Sequence, residues 1–168
     1  MKWREWLENW SMVSLKISVP YLEMEWAPKD ADRDAAWELY IELLTRITTQ
    51  PLPQEDGDEQ TALNSVFAIF GLTRDTIKRH GRSCQEFTKL AIVVLNQIVR
   101  PFTAKWHRLS LHGAFADAAR CAEFRGELGQ LQEQLREYTR MLGDLAGVED
   151  LTKLEAADPE ARTGGQKR

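Results

Sequence analysis

Five residues carry the clearest chemical pattern in the chain. Lys89, Asn96, Arg100, Thr103 and His107 follow one another at intervals of seven, four, three and four. At about 100° per residue they share a narrow sector of a helix and make one polar stripe. Such a stripe meets water, a partner carboxylate or a ligand, because unpaired buried charge costs too much. A solvated edge, or internal pairing with acids from another helix, satisfies the same rule. Pro101 removes one helical hydrogen bond and should kink or restart the helix. Lys105-Trp106-His107-Arg108 then follows as a cationic corner holding a large aromatic. Lys89, Asn96, Arg100, Lys105, Trp106 and His107 are the candidate binding residues.

Reactive chemistry is harder to find. There is no phosphate-binding glycine loop, no HExxH and no CxxC. His80 and Cys84 are four apart, but Gly81 interrupts the helix that would align them. His107, His112 and Cys121 do not complete the four spaced ligands of a zinc site. No serine or cysteine has a base placed beside it by the sequence. Neither a metal nor a cofactor is expected. Cys84 and Cys121 read as reduced, small core residues.

One segment invites comparison. Arg74-Asp75-Thr76-Ile77-Lys78-Arg79-His80 resembles the motif of the HEPN ribonucleases, in which an arginine, a polar residue and four more residues precede a histidine. The resemblance implies a small helical bundle that dimerises to bring two motifs together and cuts RNA without a metal. Arg74 and His80 would be the catalytic pair, and Asp75 the polar residue orienting them. The chemistry is coherent, since histidine can act as acid or base near neutral pH and arginine can steady a phosphate. The departure is in placement: the family carries its motif on a long late helix, whereas here it is expected to end a short one before Gly81. A solvated basic turn accounts for the same residues.

These side chains need a scaffold, and the pattern is all-α: an up-and-down bundle of about four main helices plus short ones. The central helix is Cys84–His107, where Phe87, Leu90, Ala91, Val94, Leu95, Ile98 and Phe102 recur at three and four and Ile92, Val93 and Val99 widen the face. A helix that apolar should be buried on nearly all sides, and Ser83 with Glu86 offers a capping box. Asp30, Asp32 and Asp34 favour a helix start after Pro28, with Trp37, Tyr40, Ile41, Leu44 and Ile47 on its inner face. Gln50-Pro51-Leu52-Pro53 ends that helix, and residues 54–59 read as an exposed acidic linker. Leu63, Val66, Phe67 and Phe70 mark a helix closed by Gly71, and Thr73 caps a short one through His80. Asp117 opens the last helix. There Cys121, Phe124, Leu128, Leu131, Leu135, Tyr138, Leu142 and Leu145 keep 3-4 spacing over more than three heptads, a seam for bundle neighbours or a partner helix. Gly126, Gly129 and Gly143 favour support by the bundle.

The chain ends are different. Trp3, Trp6, Leu7 and Trp10 fall on one face of a short helix over residues 2–11, fit to dock on the core or on another subunit. Its polar face, with Glu5 and Glu8 beside Lys2 and Arg4, does not suit a membrane surface. Residues 13–26 alternate in polarity around Pro20-Tyr21 as a small β-hairpin or an extended arm. The bundle is expected to occupy residues 1–151 as one domain, with 152–168 a disordered tail.

Charge bounds the function. The chain has 168 residues and a net charge of −4, but the charge is split. Residues 23–59 hold eleven acids against three bases, and residues 74–108 hold eight bases against two acids. Internal pairing of the two segments competes with a basic face offered to an anion. The longest apolar run, Leu90–Leu95, is too short to span a bilayer, and the N-terminus lacks a signal-peptide pattern, so a cytoplasmic protein is expected. The reading that best unites these features is a non-enzymatic interaction or adaptor module, one subunit of a larger bacterial assembly. Its partner is another protein or a second copy, engaged through the C-terminal seam, the tryptophan-rich N-terminus or the Lys105-Trp106-His107 corner. RNA enters only with the ribonuclease reading, and a membrane is not an expected partner.

Overall fold

The computed structural model describes residues 28–152. The tryptophan-rich stretch over 2–11, the alternating segment 13–26 and residues 153–168 of the expected tail lie outside the described residues. Thr152 is not tail-like: it is buried and hydrogen-bonds to Asp150.

The described chain is an all-α bundle. Helix α1 is Asp30–Leu44, α2 is Glu59–His80, α3 is Gln85–Val94, α4 is Arg100–Ser110 and α5 is Ala118–Ala146. A π-helical turn, Leu95–Val99, joins α3 to α4, so the main helices among the described residues number four. Cross-helix contacts give the up-and-down order. Glu38 reaches Arg79 and His80, Phe67 meets His107 and Phe70 meets Arg100, and Trp106 bonds Glu127. Tyr40 packs at Gly143 while Gln132 reaches back to Ile47, closing α5 antiparallel onto α1. No strand occurs among the described residues.

Local sequence explains most of the helix ends. The Asp117 carboxylate accepts from the N–H groups of Ala119 and Arg120, and Gly147 closes α5 in the left-handed conformation that glycine adopts freely. Asp58 caps α2 through the Thr61 N–H. Past Leu44, the buried Thr48 and Thr49 hydroxyls donate to the Leu43 carbonyl. The loop that follows is held by α5: Gln132 donates to the Ile47 and Gln50 carbonyls, and Arg125 to those of Leu52, Pro53 and Gly57.

The start of α3 departs from expectation. Ser83 belongs to a 3-10 turn, Gly81–Ser83, and the residue at the cap position is Cys84, with no capping side chain. The acceptor comes from α1 instead. Asp32, almost wholly buried, takes the Lys29 N–H at 2.8 Å on one oxygen and the Phe87 N–H at 3.0 Å on the other. One carboxylate thus completes two helix starts separated by 55 residues.

Gly71 does not end a helix, nor does Thr73 begin one. Helix α2 runs 22 residues through both. A glycine costs a helix interior about 1 kcal/mol, and the buried face of Leu63, Val66, Ile69, Phe70, Thr73 and Thr76 outweighs that. The Arg74–His80 segment therefore ends a long helix rather than a short one.

The seam of α5 is covered by its own bundle. Phe124, Leu128, Leu131, Leu135, Tyr138, Leu142 and Leu145 are buried in the single apolar cluster that joins the helices, with the closest packing against α1. That leaves no heptad surface free for a partner helix. The 85–110 helix, in turn, is not sheathed all round, since Ile92 remains 48% exposed beside the exposed Lys89 and Asn96. No helix among the described residues is long and apolar enough to cross a membrane.

Candidate functional site

The π turn decides where the polar stripe points. A π turn adds one residue to an α-helical path, so everything after Val99 is rotated by about 100° from its place in a uniform helix. Lys89 and Ile92 before the turn, and Asn96 at its start, stand on the outer face. After it, Arg100 and His107 swing towards α2. The Arg100 guanidinium lies 4.9 Å from the Phe70 ring centre, and the His107 ring meets Phe67 edge-on at 4.8 Å. Arg100 also donates to the Asn96 side chain at 3.0 Å. The same rotation carries Thr103 out of the stripe and into the core, where its hydroxyl donates to the Val99 carbonyl.

The same rotation turns Trp106 fully inward. It is fully buried, stacked on Phe115 and edge-on to Phe124, with its indole N–H donated to Glu127 at 2.9 Å. It is a core residue and presents nothing to a partner, correcting the expectation of a recognition corner. Lys105 faces α5, where Glu123 and Glu127 accept from its ammonium. Those hydrogen bonds hold its pKa above the ordinary lysine value and, with Arg120, hold that of Glu123 below the usual glutamate value. Lys105 is thus spoken for within the bundle.

What remains of the expected set, Lys89, Asn96, Arg100 and His107, joins residues of α2 that sequence reasoning did not connect to it. Phe67, Gly71, Arg74 and Lys78 fall on one outer stripe of α2, at steps of four, three and four. Phe67 is 51% exposed. The two stripes border a shallow crease between α2 and the α3–α4 helix. At one end it opens into a cavity of about 440 Å³ lined by Ile77, Gly81, Arg82, Gln85, Thr88 and Lys89. Glu86 pairs with Lys89 at 2.7 Å. Arg74, Lys78 and Arg82 have no carboxylate partner among the described residues, and neither stripe contains an acid. The usable signal in the sequence was the spacing of 67, 71, 74 and 78, hidden by the assumption that Gly71 broke the helix.

The acidic segment does pair with the basic one, at one point. Glu38 accepts from Arg79 and is 2.9 Å from His80 Nε2. Partial burial pushes the Glu38 carboxyl upwards, but the bonds to Arg79 and His80 outweigh it and leave the pKa below the ordinary glutamate value. This pairing also separates the residues of the ribonuclease-like motif. Arg74 stands on the crease side of α2, Asp75 lines a groove facing α1, and His80 is engaged with Glu38. They are not brought together at one surface. No group of three His, Cys, Asp or Glu among the described residues is arranged to hold a metal ion. No family model matches the chain, and no curated protein or solved structure matches it.

Proposed function

We propose that this chain is a non-enzymatic protein-interaction module, a subunit of a larger assembly, and that the crease between α2 and the α3–α4 helix docks an acidic, partly apolar segment of its partner. One observation carries the reading: Phe67 and Ile92, each about half exposed, stand on the two helices that border the crease, where the cations outnumber the one acid, Glu86, which is already paired with Lys89. Exposed apolar side chains on a charged rim are the anatomy of a docking site. Charge complementarity then selects the partner and speeds encounter. A protein segment suits the crease better than a nucleic acid, because the exposed apolar groups are one phenylalanine and one isoleucine rather than a run of stacking aromatics.

The test is affinity capture from the native host at near-physiological salt, comparing the wild-type chain with Arg74→Glu/Lys78→Glu. Both residues are exposed, so the variant keeps its fold. A stoichiometric acidic protein bound by wild type and lost in the variant is the expected result. Recovery of RNA in its place, or the same partner held equally by both chains, overturns the reading.

A further inference from the structure

A second surface lies on the other side of α2. Trp37 and Ile41, on successive turns of α1, are 43% and 36% exposed and face Leu72 of α2. Together they floor a groove of about 300 Å³. Its rim is polar: Glu38 bonded to Arg79, Glu42 bonded to Arg46, and Asp75. An exposed tryptophan beside an exposed isoleucine loses favourable burial worth about 25 cal/mol per Å², so the groove gains from being covered.

We propose that its occupant is the chain's own N-terminal segment, seated through Trp3, Trp6, Leu7 and Trp10. Three arguments converge on it. The segment's chemistry matches, since those four residues share one face at helical spacing and their indoles carry the large apolar area that the groove lacks. Lys2 and Arg4 bring cations to a rim that offers Asp75. The tether matches as well. The segment precedes α1 in the chain, and Trp37 and Ile41 lie only about 10–17 Å along that helix from Asp30. The residues between Trp10 and Pro28 span up to about 60 Å when extended, so the reach is ample. A short connection also gives the segment an effective concentration in the millimolar range at this groove, which a free partner or a second copy does not match. The groove is separate from the basic crease, and the proposal stands whether or not the crease binds an acidic protein.

The test uses the full chain with a photo-activated cross-linking residue at Glu8, a polar position that leaves all three tryptophans in place. Isotopically light and heavy copies are mixed before irradiation, and the cross-links are mapped by mass spectrometry. The expected products join residue 8 to residues 34–45 or 72–79 of the same copy, and Ile41→Asp reduces them at least tenfold with an unchanged circular dichroism spectrum. Light–heavy products at the groove mean that a second copy fills it, and overturn the proposal. Cross-links mapped to other surfaces, no cross-links at all, or a yield indifferent to Ile41→Asp overturn it equally.

Discussion

Replacing Asp32 with alanine removes the side-chain acceptor that two helix starts share. The carboxylate takes the Lys29 N–H at 2.8 Å and the Phe87 N–H at 3.0 Å and is almost wholly buried. A hydrogen bond to a charged group contributes about 1.5–3 kcal/mol, and a buried N–H left without a partner keeps its desolvation cost. Relief from burying a carboxylate offsets part of that loss. The net for Asp32→Ala is about 2–4 kcal/mol of lost stability. For a chain of this length that lowers Tm by about 5–12 °C. Asp32→Asn retains one acceptor oxygen and turns an N–H donor towards the other amide, so it should fall between wild type and alanine. Urea denaturation gives the stability change, and amide exchange gives its location: the Phe87 N–H should lose protection in Asp32→Ala before the middle of α5 does. A stability within about 0.5 kcal/mol of wild type, or unchanged exchange at Phe87, would refute the long-range cap.

Three further outcomes follow from the packing of the bundle. Gly71→Ala and Gly129→Ala add a methyl group with nothing within 4 Å of it, and each should stabilise by about 0.5–1 kcal/mol. Gly143→Ala places that methyl 3.1 Å from the Tyr40 ring and should destabilise by about 1–3 kcal/mol; calorimetry reads all three, and equal effects would contradict the close α1–α5 approach. Tyr138 is buried with a hydroxyl that finds no hydrogen-bond partner among the described residues, and burial raises its pKa well beyond the ordinary tyrosine value. Tyr138→Phe removes an unsatisfied group and should leave the stability measured in urea unchanged or raised, by up to about 1 kcal/mol; a clear drop would mean that the hydroxyl is bonded. Because the folded pKa of Glu38 lies below its ordinary 4.5, the ionised form contributes stability above that pH, and the contribution is lost as pH falls through the folded value. Glu38→Gln should therefore be less stable than wild type near neutrality and converge on it in acid, as followed by thermal melts across pH 2–7; a constant gap would assign the effect to packing.

How legible this was depended on how local each cause is. Asp117 and Gly147 signal the ends of α5 within a few residues, and the 3-4 seam specifies its inner face, so that helix could be read directly. Sequence spacing alone did not say what covers the seam. The cap on Phe87 was invisible because its acceptor lies in another helix. Gly71 carries a real cost, but the sum of burial along α2 is larger, and a local rule cannot weigh the two. The candidate binding residues divided for a single reason. A uniform 100° step aligns Lys89, Asn96, Arg100, Thr103 and His107, and the π turn keeps the first two outward while turning Arg100 and His107 to α2, Thr103 and Trp106 inward and Lys105 to α5.

That turn also governs which genetic changes this helix can absorb. Deleting one residue from Leu95–Val99 would relax the wide turn into ordinary α-helix and screw the following segment through about 100°. Trp106 would leave the aromatic core, and Arg100 would lose Phe70. A substitution in the same turn perturbs one contact; a frame-preserving loss of one codon rephases eleven residues at once. Divergent copies of this protein should accordingly vary in composition along 95–110 while conserving its length, with insertions and deletions displaced into the loop between α1 and α2.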